Sequence, residues 1–178
     1  MSSELSYLPY TVAADGWDPD ELGNHRAVVR VDRRADVVRV SIPWRRRDLN
    51  PEAKGIIVHD AAGGRISHYL PVHVSNTLGE FLFEPSEGPG RYYFYFMAYT
   101  GTVKKPYPQI EYLPAGLENN PWQQGLAGRL TETFDVAEVV ALESVDESNM
   151  FTEMELIADD TELSAFVASH GERPILAV

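Results

Sequence analysis

The chain has 178 residues and a formal charge of −12, from 27 acidic against 15 basic side chains, and it contains no cysteine. That length suffices for one domain with a sizeable core, and the lack of cysteine excludes disulfides, cysteine-ligated metals and cysteine nucleophiles. The acidic balance argues against generic nucleic-acid binding, which depends on neutralising phosphates with Lys and Arg, and nowhere do about eighteen apolar residues run together as a membrane-spanning helix requires.

The first residues, Met-Ser-Ser-Glu-Leu-Ser-Tyr, have neither the basic start nor the apolar run of a secretory signal, so the expected location is the cytoplasm. Pro9, Gly16, Pro19 and Gly23 mark residues 1–24 as an extended arm, in which Leu8, Tyr10 and Val12 alternate as a short edge strand would. Ala27, Val29 and Val31 then alternate with polar neighbours, and after a polar break Val38, Val40 and Ile42 resume the pattern. This predicts a two-strand hairpin with one apolar face. Pro43 to Pro51 form a polar loop that holds Trp44. A short strand at Gly55 to Asp60 turns through Ala61-Ala62-Gly63-Gly64 into another at Ile66 to Val74, where Pro71 suggests an edge position or a bulge. Gly79 to Glu84 carries Phe81 and Phe83 on one face.

The densest stretch is Gly90 to Thr100, rich in residues that suit a pleated, half-buried surface. Strand alternation puts Tyr92, Phe94, Phe96 and Ala98 on one face, the natural core, and Tyr93, Tyr95, Met97 and Tyr99 on the other, where phenol oxygens want water or a partner. Between Thr100 and Arg129 many prolines and glycines leave room for a short helix near Trp122 to Leu126. A stretch that irregular inside a compact domain is usually functional or covered by something else. Asp135 to Ser144 reads as a strand from its β-branched content, Phe151 to Ile157 as another, and Asp159 or Asp160 caps a final helix that stops at Gly171. Short strands at this spacing, joined by Gly and Pro turns, predict a mainly β protein: an antiparallel β-sandwich, jelly-roll-like, with a short C-terminal helix.

Residues able to carry chemistry are scattered. Arg26, Arg30, Arg33, Arg34, Arg39, Arg45, Arg46, Arg47 and Lys54 crowd one early region, which suits either an anionic ligand or neutralisation of the acidic remainder. Asp48, Asp60 and Glu80 sit at strand ends or loops where a glycosidase acid pair would be sought, but solvated or arginine-paired acids look the same in sequence. His59, His68 and His73 lack the close spacing of a zinc motif, and no Walker loop, Gly-x-Gly-x-x-Gly or Gly-x-Ser-x-Gly is present. No catalytic residue, metal ligand or cofactor is nominated. What remains is an aromatic face: Tyr93, Tyr95 and Tyr99, with Trp44 and Arg46 from the polar loop, have the side chains of a shelf on which sugar rings lie. The same tyrosines serve equally well to pack against a second sheet, the tail or another domain.

Val38 to Trp44 followed by Arg-Arg-Arg-Asp, then Pro51 to Val58, then Gly90 to Phe96 ahead of Tyr99-Thr100-Gly101, resemble the N-terminal β-sandwich domain of glycoside hydrolase family 123-like proteins. The resemblance spans roughly residues 28–112, and Met154 to Ile157 with the closing Pro-Ile-Leu-Ala-Val is similar to the family's run-up to its catalytic barrel. It implies a sandwich over residues 25–157 after the arm, with 158–178 as a helix and the start of a linker to a downstream catalytic domain. The family's catalytic residues lie in that following barrel, so none carries over. The implied role is a non-catalytic accessory module that supports the catalytic domain and contacts carbohydrate. A stand-alone small glycosidase on a sandwich scaffold and a structural protein-contact domain are the alternatives.

Overall fold

The structure is a computed structural model and describes residues 8–102, 109–116 and 120–145. Strand β1 (Tyr10–Val12) and the helical turn α1 (Pro19–Leu22) lead into β2 (His25–Val31) and β3 (Val38–Ile42). A loop with one 3-10 turn (Pro51–Ala53) precedes β4 (Ile56–Asp60), β5 (Arg65–Ile66), β6 (Tyr69–Val74), β7 (Gly79–Phe83) and the aromatic strand β8 (Gly90–Phe96). Strands β9 (Tyr99–Thr102) and β10 (Gln109–Tyr112), helix α2 (Pro121–Ala127), and strands β11 (Asp135–Val136) and β12 (Glu138–Ser144) follow. The expected strand at Phe151 to Ile157 and the C-terminal helix lie outside the described residues.

Ten of the described strands form two layers, a six-stranded sheet in the order β1-β12-β2-β8-β4-β5 and a four-stranded sheet in the order β11-β3-β7-β6, while β9 and β10 pair with each other as a separate ribbon. The expected β-sandwich is what the chain builds. Its pairings are antiparallel except at two margins, where β1 runs parallel to β12 and β11 parallel to β3. Between the layers, β2 supplies Ala27, Val29 and Val31, β3 supplies Val38, Val40 and Ile42, and β7 and β8 supply Phe81, Phe83, Tyr92, Phe94 and Phe96, all buried. Phe83 meets Phe94 and Tyr92 edge-on, each at 5.2 Å between ring centres. Each such side chain contributes about 1.5–3 kcal/mol by leaving water, so this row of rings is the main cohesive element between the sheets.

The expected β2–β3 hairpin does not form. β2 pairs with β8 and β12, and β3 pairs with β7 and β11, so residues 32–37 cross from one sheet to the other. Both strands do bury the predicted face, from opposite sides of one core. The stretch from Ile66 to Val74 likewise divides: β5 stays with β4 while β6 joins the opposite sheet. Pro71 then occupies an edge strand and lies at a register shift, the two settings that tolerate a residue without an amide hydrogen. The segment 135–144 changes sheets in the same way at Ala137, whose amide donates to the Arg39 carbonyl at 2.8 Å.

The alternation of β8 fails past Phe96. Met97 adopts a left-handed conformation, with φ of 57°, and this single residue inverts the faces. Met97 enters the inter-sheet core, while Ala98 joins a small cluster on the outer side of the six-stranded sheet with Ile57, Tyr95, Trp17, Leu22, Tyr93 and Leu113. Tyr99 is buried but belongs to neither cluster.

Candidate functional site

The outer face of the six-stranded sheet is built around Arg26, which β2 directs away from the core. Its guanidinium lies between two rings, 4.5 Å from the centre of Trp17 and 4.2 Å from that of Tyr93. It donates to Glu143 at 2.6 Å, Asp15 at 3.1 Å and the Tyr95 hydroxyl at 3.4 Å. Trp17 is held there by its indole nitrogen, which donates to the Gly23 carbonyl at 2.7 Å, and by an edge contact with Tyr95 at 5.5 Å. Burial alone would lower the pKa of Arg26, but the bonds from Tyr95 and Glu143 outweigh it and raise it. Burial pushes the Tyr95 phenol up despite Arg26. The arm thus lays one aromatic over the tyrosine row and clamps it with a stacked, ion-paired cation.

Trp44 and Arg46 lie elsewhere, and both are 0% exposed. The Trp44 ring sits in the core against Phe81 and Phe96, and its nitrogen donates to the Ser75 carbonyl at 2.8 Å. Gly79 makes this possible: a Cβ there would stand 2.4 Å from the indole ring. Arg46 grips Asp48 with two bonds of 2.9 and 2.8 Å, and Lys54 reaches the same carboxylate at 2.9 Å. Burial would raise the Asp48 carboxyl, yet the bonds from Arg46 and Lys54 prevail and hold it below the usual carboxylate range. Asn76 braces the loop by donating to the carbonyls of Arg46 and Asp48 at 3.1 and 2.8 Å. Of the five residues expected to form a sugar shelf, the structure brings together Tyr93 and Tyr95, places Trp44 and Arg46 in the interior, and buries Tyr99 to 4% exposure on β9.

The acids and histidines singled out in the sequence are dispersed as well. Asp60 closes the β4–β5 turn, accepting from the Ala62 and Gly64 amides at 2.8 Å each. Glu80 faces Ser41 across two strands. His68 pairs with Glu84 and stacks on Trp122, whereas His59 lies on the outer face against Tyr95. Burial and the neighbouring Arg65 charge lower the pKa of His59. No group of three metal-ligating side chains occurs among the described residues, and among them no helix is long and apolar enough to cross a membrane.

A concave site lies at the open side of the sandwich where the margin of the larger sheet meets β6. It is a cleft of about 330 Å3 lined by Gly55, Ile56, Ile57, Arg65, Ser67, Tyr69, Leu113, Pro114, Gly116 and Gln123. Tyr69 bridges the two layers there, its hydroxyl donating to the Ile56 carbonyl at 2.8 Å. The third wall is the chain after β10, fixed by the Gly55 amide donating to the Leu113 carbonyl at 2.7 Å. Helix α2 adds Gln123. Asn120 caps that helix by accepting from the Gln123 amide at 2.8 Å, and the Gln123 amide nitrogen Nε2 donates to the Tyr69 carbonyl at 2.8 Å. Sequence reasoning flagged the Gly- and Pro-rich stretch after Thr100 as functional or covered, but Arg65, Ser67 and Gln123 carry no motif that would have selected them.

A family model described as "Glycoside hydrolase 123, N-terminal domain" matches residues 15–145. No curated protein and no solved structure matches the chain.

Proposed function

Because the chain belongs to the family of glycoside hydrolase 123 N-terminal domains, we propose that it works as a non-catalytic accessory β-sandwich that holds a downstream catalytic domain and contacts carbohydrate. The observation that carries the non-catalytic part is the employment of the acids. Glycoside hydrolysis needs two carboxyls across one cleft, one of them with a raised pKa. Asp48 is instead held low by Arg46 and Lys54, and Asp60 is spent on a turn.

The contact with a downstream domain is supported by the end of the sandwich where β12 leaves. There the Val145 amide donates to the Asn24 carbonyl at 2.9 Å, and Ser144 shares a 2.9 Å hydrogen bond with His25. His25 stacks on Phe96, and Phe96 touches Trp44, which opens the braced loop. At the tip of that loop Leu49 is 83% exposed, next to the Arg46–Asp48–Lys54 cluster. An apolar side chain held out on a braced loop suits a contact with another domain. We place the protein in the cytoplasm, with no nucleic-acid or membrane partner.

Incubation of this chain with a panel of chromogenic glycosides tests the central point. No release of chromophore is expected, and sustained turnover that follows the purified chain would overturn the non-catalytic role.

A further inference from the structure

We propose that the cleft between the sheet margins binds a single acidic sugar ring, with the carboxylate of the ring paired to Arg65. The choice of a sugar rests on the accessory role proposed above; the choice of a carboxylate-bearing ring rests on the cleft itself.

Volume sets the first limit. At about 330 Å3 the cleft is at the small end of ligand pockets, which run roughly 300–1,000 Å3, and it accommodates one ring in place of an oligosaccharide. Its walls set the second. Ile56, Ile57, Leu113 and Pro114 are apolar, and the Tyr69 ring is fixed by its bond to Ile56, so a flat C–H face finds a preformed partner with little side-chain freedom left to lose. The polar groups are few and convergent. Ser67 offers a hydroxyl, and Gln123 has its Nε2 committed to Tyr69, which leaves its carbonyl oxygen to accept from a ring hydroxyl.

Arg65 decides the charge. It has no ion pair among the described residues, and unlike Arg34, Arg39, Arg47 and Arg91, for which none is found there either, it lines the cleft; Arg26, Arg30, Arg33, Arg46 and Arg129 each meet a carboxylate. No acidic side chain is among those that line the cleft; Glu52 and Lys54 border only the adjoining hollow of about 20 Å3. An arginine fork presents paired donors that match a carboxylate in plane. On a chain of charge −12, an unpaired cation beside an apolar wall favours an anion there and not a neutral sugar.

The test titrates the full chain with D-glucuronate and D-galacturonate, with D-glucose, acetate and inorganic sulfate alongside, following amide shifts by NMR. At least one uronate should saturate below about 10 mM, shift the amides around Ile56, Arg65 and Gly116, and bind at least tenfold tighter than glucose, acetate or sulfate. Arg65→Gln and Ser67→Glu, both at exposed positions, should each weaken it tenfold or more, while Arg47→Gln, outside the cleft, leaves it unchanged. Equal binding by wild type and both cleft variants, acetate or sulfate binding as tightly as the uronates, or no saturation by either uronate would overturn the proposal. Those results leave the non-catalytic role standing, because turnover of a glycoside is what bears on that.

Discussion

Replacing Asp48 by alanine isolates the energetics of the buried cluster. Arg46 is 0% exposed and its two strong bonds both end on Asp48, while its second terminal nitrogen, Nη1, has no hydrogen-bond partner among the described groups. Removing the carboxylate therefore strands a guanidinium in the interior. Breaking a buried pair from one side costs roughly 3–5 kcal/mol, a large share of the ~5–15 kcal/mol that holds a domain together. At about 2–4 °C per kcal/mol for a chain of this size, the midpoint should fall by on the order of 10 °C. The informative partner is the double variant Arg46→Met with Asp48→Leu, which removes both charges and puts apolar side chains in their place. It should melt within a few degrees of wild type, since a buried pair is replaceable by well-packed apolar residues at little cost. Urea melts of Arg46→Met, Asp48→Leu and the double give the coupling directly. The unfolded carboxyl titrates near 3.9 and the folded one below that, so the contribution of the pair is full above roughly pH 5. It is lost as the pH falls through the folded value. The double variant should lack that acid-sensitive portion. A single variant costing under about 1 kcal/mol, or a double as damaged as the single, would show that the stranded charge is not what the site protects against.

Gly79→Ala should cost about 1–3 kcal/mol by overpacking, because the new methyl would stand 2.4 Å from the Trp44 ring; an unchanged near-UV circular dichroism band and midpoint would contradict that placement. Trp17→Ala should cost roughly 2–3 kcal/mol, the sum of ring burial and the stack on Arg26, and should raise the reactivity of Tyr93 and Tyr95 toward a surface-directed tyrosine reagent. Tyr92→Phe removes a 2.8 Å bond to the Gly88 carbonyl and should cost about 1 kcal/mol in a urea melt. Leu49→Ser should change the stability of this chain by no more than about 0.5 kcal/mol in a urea melt, since the side chain is 83% exposed.

Periodicity made most strands readable, because an alternating run declares which face is dry. It does not declare the neighbour. Val29 and Val40 looked like two arms of one hairpin because each points into the same core, and only the pairing with β8 and β7 reveals that they do so from opposite layers. Met97 was unreadable for a different reason: nothing about methionine announces a positive φ, yet that one dihedral reassigns Met97 and Ala98. Trp44 in an arginine-rich loop looked exposed. The clue to its burial was thirty-five positions away, in a strand that begins with the one residue too small to exclude an indole. The cleft was the least legible feature, as it is assembled from two sheet margins, a returning segment and a capped helix, none of which carries a local signature.

The placement of β12 between β1 and β2 has a bearing on synthesis. Residues 25–31 find one neighbour in β8 and the other only in residues 138–144, so a nascent polypeptide cannot close its larger sheet until more than a hundred further codons have been translated. Until then β2 shows the ribosome surface an open row of amides and carbonyls, the kind of edge that invites pairing with a stranger. A ribosome stalled before residue 138 should therefore carry a protease-sensitive chain, and release of residues 138–144 should convert it to the resistant form in one step.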